Sequence, residues 1–321
     1  MFLVSEAEVQ SILSYPALIE ALQKAFQEDY VVPMRHHHDF NNPKASKDST
    51  LLLMPAWQAG EFLGVKVVTV SPDNYQHQLP AIHGTYLLFN AATGQPILQT
   101  DARRLTSKRT AAASALAASY LAKRNSKTLL MVGTGALASQ LIEAHAQVRS
   151  LEKVFVWGRN PEKAQAVIDL LTHSTKQTNV RHFEVATDLE NIVPTVDIIS
   201  VATLSPKPLI LGKWLRPGQH VDLVGSYKPD MREADDAAIR KAMIYVDTLE
   251  GAPKESGDLA IPIKNGLLQK SDIKGDLFAL CQSKILGRQS DDELTLFKSV
   301  GHALEDLAAA KLLYHHLVEK S

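Results

Sequence analysis

Two glycines and an alanine, at residues 133, 135 and 138, stand where an apolar run meets a predicted helix. In the segment Leu129–Ala138 they form the pattern G-x-G-x-x-A, and the residues from Thr128 to Val132 are mostly apolar. The first glycine permits a tight turn, the second lets a pyrophosphate approach the backbone, and the alanine allows close packing of helix on strand. The unpaired N–H groups at the helix start would face the phosphates. We therefore expect a dinucleotide to bind here; the alternative is a tight turn without a ligand.

An arginine follows the second predicted strand of this region, Val154–Trp157. An Asp or Glu there would bind the ribose 2′-hydroxyl of NAD, but the sequence continues with Gly158, Arg159 and Asn160. A guanidinium matches the 2′-phosphate of NADP in charge and in geometry. We therefore expect NADP(H) to be the preferred cofactor, with NAD(H) possible. The alternative is that Arg159 simply faces solvent.

Three basic residues before this region, Arg35, Lys66 and Arg109, occupy settings that could bind an anion. Lys66 stands among valines in a predicted strand, although strand alternation could equally turn its side chain to solvent. Arg109 falls in the first turn of a helix predicted for residues 107–122 with Ser107 as its cap, where the helix dipole disfavours a cation. Such a charge could be kept for a ligand, or it could be an ordinary surface residue.

Histidines occur at two places in the same part of the chain. Residues 36–38 are all histidine, but neighbours along a strand point to opposite faces, and no H-E-x-x-H or C-x-x-C motif accompanies them. We therefore expect no metal site. His83 is followed by Gly84, which could let a ligand approach. His83 is a candidate proton donor, and a buried structural histidine is the alternative.

The elements that must position these residues fall into two groups. Residues 5–29 are expected to form two helices, the first opened by a Ser5–Glu8 capping box, and residues 31–100 to form an antiparallel or mixed sheet with a hairpin turn at residues 92–95. From Thr128 onward, strands alternate with helices, which predicts a parallel, doubly wound sheet. An amphipathic helix at residues 302–318 is expected to return to the first group.

Composition limits the classes of protein that the 321 residues can form. Apolar residues make up 45 %, enough for a sizeable core, and 34 basic against 35 acidic side chains give a net charge of −1. This balance favours a small-molecule partner over nucleic acid or a membrane surface. The N-terminus lacks the pattern of a signal peptide, and no apolar stretch reaches the roughly 20 residues of a membrane helix. With the single cysteine, Cys281, this predicts a soluble, cytoplasmic protein.

Several segments resemble the ornithine cyclodeaminase/mu-crystallin family, and within it the mu-crystallin-like ketimine reductases. They follow the family's order along most of the chain, at Leu105–Ala112, Val132–Ala138, Trp157–Asn160, Val224–Glu233, Tyr245–Asp247, Lys254–Asp258, Phe297–Gly301 and Glu305–Asp306. The resemblance implies an α/β fold with a Rossmann doubly wound, NAD(P)-binding domain at residues 113–301. It also implies an α+β substrate and dimerisation domain formed by both chain ends, at residues 1–112 and 302–321, in a homodimer or a larger assembly.

The resemblance also implies roles for individual residues. Arg35, Lys66 and Arg109 fall on the family's basic substrate-site positions, and the Phe297–Gly301 loop lies near the nicotinamide in the family, which makes Ser299 a candidate contact. The full set of candidate cofactor-binding residues is Arg109, Gly133, Gly135, Ala136, Leu137, Trp157, Arg159, Asn160, Ala202, Thr203, Ser226 and Ser299.

One departure from the family bears on the reaction. The cyclodeaminases carry an aspartate, in a D-x-P-x-K motif, that is thought to activate water and the substrate amine; the matching position here is Tyr227, with Lys228 before Pro229. A phenol cannot easily replace that carboxylate as a base at neutral pH. The difference argues against cyclodeamination of ornithine and favours a reductase, which needs no attacking water.

The resulting hypothesis is reduction of a cyclic ketimine acid, 1-pyrroline-2-carboxylate or 1-piperideine-2-carboxylate, to L-proline or L-pipecolate, a step of proline metabolism. Arg35 and Arg109 would hold the carboxylate, and Lys66 would supply or stabilise the proton on the imine nitrogen. Two arginines nearby should lower the pKa of Lys66. His83 is the rival proton donor, and Glu255 could orient the imine nitrogen.

Three alternatives stay open on the same scaffold. Two are other reactions: reductive amination by an alanine dehydrogenase, and ornithine cyclodeamination. The third is a non-catalytic, mu-crystallin-like protein that binds nucleotide and ligand without turnover. Arg35, Lys66 and Arg109 argue for a working site, although they would also hold an anionic ligand.

Overall fold

The computed structural model describes residues 1–173 and 180–320. The elements up to residue 121 are β1 (Phe2–Val4), α1 (Glu6–Ile12), α2 (Tyr15–Gln27), β2 (His36–Phe40), β3 (Ser49–Gln58), β4 (Phe62–Val70), β5 (Ile82–Asn90), β6 (Pro96–Asp101) and α3 (Ala102–Leu121). The later elements are β7 (Thr128–Val132), α4 (Ala138–Val148), β8 (Lys153–Trp157), α5 (Pro161–His173), β9 (His182–Ala186), α6 (Leu189–Ile192), β10 (Ile198–Val201), β11 (His220–Leu223), α7 (Asp236–Lys241), β12 (Met243–Val246), α8 (Ala252–Glu255), α9 (Gly257–Lys264), β13 (Gly275–Asp276), α10 (Leu277–Cys281), β14 (Thr295–Lys298) and α11 (Ala303–Glu319).

These elements form two compact units. The first contains residues 1–110 and the C-terminal residues from His302 onward, and the second contains residues 111–301. The first unit is built around a six-stranded sheet in the order β1-β6-β5-β4-β3-β2, in which β1 is parallel to β6 and the other pairs are antiparallel. Helix α11 packs on β3, β4 and β5 and on α2. The predicted antiparallel or mixed sheet is therefore confirmed, and it is a mixed one. Both chain ends lie in this unit.

Local sequence features of the first unit form as predicted. The Ser5 backbone N–H donates to the Glu8 carboxylate over 2.8 Å, and the Glu8 N–H donates back to the Ser5 hydroxyl over 3.3 Å, which completes the capping box of α1. The turn between β5 and β6 contains Gly94 at φ +72°, and the Gly94 N–H donates to the Asn90 carbonyl over 2.8 Å. A positive φ favours glycine, which explains that residue in the hairpin.

The start of α3 differs from the prediction. The helix begins at Ala102, and the Asp101 carboxylate accepts the Arg104 N–H over 2.7 Å as its cap. Ser107 lies inside the helix, where its hydroxyl donates to the Arg104 carbonyl over 3.0 Å. The predicted Ser107 cap is therefore wrong. Arg109 lies in the third turn, so the dipole argument made for a first-turn cation does not apply to it.

The second unit contains the predicted parallel, doubly wound sheet. Its eight strands run in the order β13-β12-β14-β11-β10-β7-β8-β9, and the pairs along the sheet are parallel. Strand β14, which the sequence analysis did not predict, inserts between β11 and β12. It is only four residues long and includes Lys298, which is fully buried, so its hydrophobic pattern is weak.

The final helix is less amphipathic than predicted. Residues 303–310 of α11 are buried all round, including Glu305 and Asp306, whose exposed fractions are 0 %. The acidic pair therefore does not form a solvent face, and buried carboxylates require charged or hydrogen-bonding partners. Of the helices within residues 1–173 and 180–320, none has the length and apolarity required to cross a membrane.

Candidate active site

Lys66 lies on the covered face of the first unit's sheet. Alternate residues of β4, Gly64, Lys66 and Val68, are buried, and Lys66 is only 3 % exposed. Its ammonium donates to the Asp306 carboxylate over 2.8 Å and to the Thr106 hydroxyl over 3.3 Å. The sequence left open whether this lysine faces solvent, and the structure shows that it does not.

Arg109 joins the same cluster from α3. Its Nε donates to Asp306 Oδ1 over 3.0 Å, and its Nη1 donates to Glu305 Oε2 over 2.6 Å. Asp306 therefore contacts two of the three predicted basic residues, Lys66 and Arg109, through its two oxygens. From the sequence, the Glu305–Asp306 pair was only part of the family resemblance and had no predicted role. The signal in the sequence that could have marked this pair as part of a site was the presence of two adjacent acids at the start of a mostly apolar helix.

The cluster changes the pKa values of its members. Burial lowers the pKa of Lys66 to about 8, with Arg109 and Arg35 acting in the same direction and Asp306 opposing them. Burial by itself would raise the pKa of Asp306, but Arg109 and Lys66 more than offset it, so the pKa is lowered. Asp306 is thus ionised near neutrality, and Lys66 is a protonated group that can release its proton.

Arg35 and His302 also interact electrostatically with this cluster. Arg35 is half-buried in the segment before β2 and helps to lower the pKa of both Lys66 and His302. His302 directly precedes α11; burial lowers its pKa to about 4, with Arg35 and Arg109 acting in the same direction. His302 is therefore neutral at pH 7. His302 was not a predicted site residue, because in the sequence it is only the first residue of a predicted helix.

His83 is not brought together with Lys66. Lys66 pairs with Tyr86 across β4 and β5, and His83 lies an odd number of residues from Tyr86, which puts its side chain on the opposite face of the sheet. His83 is exposed, whereas Tyr86 is fully buried. Strand alternation thus favours Lys66 over His83 as the group beside Arg109 and Asp306.

The glycine turn of the second unit has the features that a dinucleotide requires. Gly133 has φ +123°, and a Cβ at this position would collide with the Ala202 carbonyl. Gly135 is exposed and a Cβ there would meet nothing within 4 Å, so the space above the turn is open. Helix α4 then starts at Ala138 without a side-chain cap from Leu137. The turn, with Ala136 also exposed, therefore fits a pyrophosphate.

The residues after β8 differ in their environment. Arg159 is exposed, and within residues 1–173 and 180–320 its guanidinium has no hydrogen-bond or ion-pair partner. The Asn160 side chain accepts the Glu162 N–H over 2.8 Å and so supports the start of α5. Trp157 is half-buried, and its carbonyl accepts the Gly133 N–H over 2.9 Å. Arg159 is thus the residue of this segment that is available to an anion.

A buried carboxylate, Glu233, fixes the segments that follow β10 and β11. It accepts hydrogen bonds from the N–H groups of Thr203 (2.7 Å), Gly225 (2.8 Å) and Ser226 (3.2 Å). Burial raises the pKa of Glu233 to about 7 against the opposing effect of Lys298, whose Nζ lies 3.9 Å away. Thr203 and Ser226 were predicted cofactor contacts, whereas Glu233, which positions both, was not predicted from the sequence.

Two proposed serine contacts use their hydroxyls inside the protein. The Ser226 hydroxyl donates to the Met231 carbonyl over 2.7 Å and lies 2.8 Å from the Ser256 hydroxyl. The Ser299 hydroxyl donates to Asp247 over 3.3 Å, and the same carboxylate accepts the Gly301 N–H over 2.6 Å. These bonds shape the loops, and they leave the serine hydroxyls less suited to hold a cofactor than the glycine turn.

The remaining candidates are Glu255 and the histidines of residues 36–38. Glu255 is half-buried on α8 in the second unit, whereas Arg35, Lys66 and Arg109 belong to the first. Residues 36–38 lie on the exposed edge strand β2, and the rings of His36 and His38 are 6.2 Å apart. Across the described part of the chain, no group of three or more His, Cys, Asp or Glu side chains could hold a metal ion.

The parallel sheet of the second unit, with an open glycine turn after β7, defines a Rossmann-type dinucleotide-binding fold. Residues 1–321 match the model of the ornithine cyclodeaminase/mu-crystallin family, and the chain belongs to this family.

Three known proteins illustrate the similarity. Delta(1)-pyrroline-2-carboxylate reductase of Colwellia psychrerythraea is 36 % identical over 321 residues, covering 100 % of this chain and 99 % of that protein. The structure of Thermococcus litoralis Delta(1)-pyrroline-2-carboxylate reductase, in complex with NADH and L-proline, is 33 % identical with a TM-score of 0.91, covering 100 % of this chain and 98 % of that one. An archaeal alanine dehydrogenase dimer with bound NAD is 27 % identical with a TM-score of 0.89, covering 100 % and 97 %.

Proposed function

We propose that the protein is an NADPH-dependent reductase of cyclic ketimine acids that converts 1-pyrroline-2-carboxylate to L-proline and 1-piperideine-2-carboxylate to L-pipecolate. The observation that carries the proposal is the buried Lys66, whose pKa is lowered to about 8 beside Arg109. A group that is mostly protonated at pH 7 and releases its proton readily suits an acid catalyst. The similarity to pyrroline-2-carboxylate reductases over the whole chain supports the same reaction.

The cofactor would bind at the glycine turn. The pyrophosphate would be held at the start of α4 by the turn residues Gly133, Gly135, Ala136 and Leu137. The 2′-phosphate of NADP(H) would contact Arg159. NAD(H) would bind the same turn without the contact to Arg159. When bound, the reduced nicotinamide supplies a hydride to the imine carbon.

Arg35 and Arg109 would orient the substrate through its carboxylate. Arg109 already donates to Glu305 and Asp306, so its contribution is limited to the donors that these bonds leave available. Arg35 adds a third cationic side chain to the surroundings of Lys66 and Arg109. An anionic substrate would thus enter a field that is positive overall, and its carboxylate would be held away from Asp306.

Lys66 would supply the proton that completes the reduction. The C=N bond of the ketimine gains a hydrogen at carbon as hydride and one at nitrogen as a proton, which Nζ of Lys66 gives up. The resulting neutral amine of Lys66 then takes a proton from water. Burial favours the first transfer by destabilising the charged form, and Asp306 favours the recovery of the proton.

Other reactions on this scaffold are less well supported. Tyr227 is 43 % exposed and stands where the cyclodeaminases have an aspartate, which argues against ornithine cyclodeamination. An alanine dehydrogenase would reduce pyruvate only with ammonia present. A non-catalytic protein would bind NADPH and an anionic ligand without turnover.

The test is a panel of substrates in which the oxidation of NADPH is monitored by its absorbance. Pyrroline-2-carboxylate and piperideine-2-carboxylate are expected to be reduced without ammonia, whereas pyruvate with ammonia and ornithine with NAD are expected to give little or no turnover. Lys66→Ala should lower kcat by about 10²–10⁴-fold. The matched control is Lys24→Ala, which removes an exposed lysine of the same unit. Wild-type turnover in the Lys66 variant would overturn the assigned role.

A homodimer is the proposed assembly. The face of the first unit's sheet opposite Lys66 carries Leu53, Val65, Val67 and Leu87, which are all only half-buried. An apolar sheet face of this kind is commonly covered by a second copy. The alanine dehydrogenase neighbour is itself a dimer. Sedimentation should give twice the mass of the chain, and Val65→Asp should give a monomer, whereas Leu170→Asp, at an exposed position of the second unit, should not.

A further inference from the structure

We propose that Asp306 is a positioning residue that holds Lys66 protonated and sets its place relative to Arg109. This inference rests on the proposed reductase function and assigns a role to a residue that makes no proposed contact with substrate or cofactor. The carboxylate contacts Lys66 through Oδ2 at 2.8 Å and Arg109 through Oδ1 at 3.0 Å.

The geometry explains how one carboxylate can fix two groups. Lys66 is on β4, Arg109 on α3 and Asp306 on α11, so the contact joins an N-terminal strand, a long helix and the C-terminal helix. All three side chains are nearly or fully excluded from water. Because each oxygen of Asp306 serves a different cation, the separation of the ammonium and the guanidinium depends on one rigid group.

The charges of the cluster show which of the two cations depends more on Asp306. Arg109 keeps a second carboxylate, Glu305, at 2.6 Å if Asp306 is neutralised. Lys66 would keep the Thr106 hydroxyl at 3.3 Å as its hydrogen-bond partner in the cluster. A buried ammonium without a nearby carboxylate loses its proton, whereas a guanidinium does not. Loss of the Asp306 charge should therefore act mainly through Lys66.

The proton balance gives Asp306 a defined part in turnover. During reduction the N–H bond of Lys66 breaks and an N–H bond of the product amine forms. Asp306 keeps its negative charge throughout, since its own pKa is lowered. It therefore donates no proton, and it favours the return of a proton from water to the Lys66 amine before the next turnover.

The decisive variant is Asp306→Asn, which keeps the shape and removes the charge. In this variant, kcat/KM should decline at high pH with an apparent pKa about one unit or more below that of the wild type. The reason is that Asp306 raises the pKa of Lys66. Substrate ionisation is the same for both proteins and cancels in the comparison. Glu6→Gln, which removes the surface carboxylate that pairs with Arg103 and Arg104, should match the wild type. An unshifted alkaline limb in a folded Asp306→Asn protein would overturn the proposal.

Two further measurements cover other outcomes. If Asp306→Asn does not fold, Asp306→Glu can be used instead, because it keeps the charge but moves it by one bond length. This variant should lower kcat at least tenfold and leave the alkaline decline of kcat/KM unchanged; a wild-type kcat would overturn the proposal.

Binding of pyrrole-2-carboxylate, a planar anion, can be measured without turnover. As the pH is raised, the loss of affinity for this anion should begin at a lower pH in Asp306→Asn than in the wild type. This readout tests Asp306 even if no ketimine is reduced, an outcome that would contradict only the proposed function.

Discussion

The carboxylate of Asp306 lies 2.8 Å from the ammonium of Lys66, although the two residues are 240 positions apart in the sequence. This contact forms only because the C-terminal helix α11 packs on the N-terminal sheet. It places a buried lysine and a buried arginine around one carboxylate. The chemistry proposed for this protein thus depends on the joining of both chain ends in one unit.

The pH dependence of activity should report Lys66 directly. Its pKa, lowered to about 8, predicts that kcat/KM falls as pH rises through that value, because the deprotonated amine cannot supply the proton. Lys66→Arg keeps a positive charge that does not titrate below pH 12. This variant should lose about 10²–10⁴-fold in kcat and should also lose the decline near pH 8. If the decline persists in Lys66→Arg, it belongs to the substrate or to another group.

Arg159 should control the choice between NADPH and NADH. The guanidinium is exposed and has no partner among the residues that the structure describes, so its removal should not affect folding. Arg159→Ser should raise the KM for NADPH by about tenfold and leave the KM for NADH nearly unchanged. Lys163→Ser, at an exposed position on α5, is the control for a general loss of positive charge. Equal effects on both cofactors would contradict the assigned phosphate contact.

Gly133 should be intolerant of any side chain. Gly133→Ala would strain the backbone at φ +123° and drive the new methyl group into the Ala202 carbonyl. We expect weaker NADPH binding and a loss of about 1–3 kcal/mol in the free energy of unfolding. Gly135→Ala meets no atom of the protein and should affect NADPH binding without that loss of stability. Fluorescence titration and chemical denaturation measure the two effects separately.

The stability of the protein should fall in mild acid because of His220. Burial lowers the pKa of His220 to about 3, so between pH 6.5 and pH 3 the unfolded chain binds a proton that the folded protein does not. The stabilisation is present above pH 6.5 and is lost as pH falls; at pH 5 the loss is about 2 kcal/mol. His220→Gln should show a smaller difference in unfolding free energy between pH 7 and pH 5. An equal difference in both proteins would assign the acid sensitivity to other groups.

Much of the second unit could be predicted because its cause is local. The apolar run Thr128–Val132, the positive-φ glycine and the following helix are determined by neighbouring residues, and strand–helix alternation then gives the parallel sheet. Strand β14 could not be predicted in this way, since its four residues include a lysine whose burial depends on Glu233 and Asp258 far along the chain.

The candidate site was predictable in residue type but not in arrangement. The setting of Lys66 among valines left both faces of the strand possible, and only the packing of α11 decides between them. Asp306 could not be paired with Lys66 from spacing, because no local rule connects a strand with a helix 240 residues later. The start of α3 was misplaced since Ser107 and Asp101 are both good caps, and the hydrogen bond to Arg104 selects Asp101.

The most direct test of the account is the product formed from 1-pyrroline-2-carboxylate and NADPH without ammonia. Chiral chromatography of the completed reaction measures the L-proline formed, and the absorbance of NADPH measures the cofactor consumed. The proposed reaction should give one L-proline for each NADPH oxidised in the wild type, and Lys66→Ala should lower the rate by about 10²–10⁴-fold. NADPH that stays reduced with every cyclic ketimine, in a protein that still binds the cofactor, would contradict the central claim.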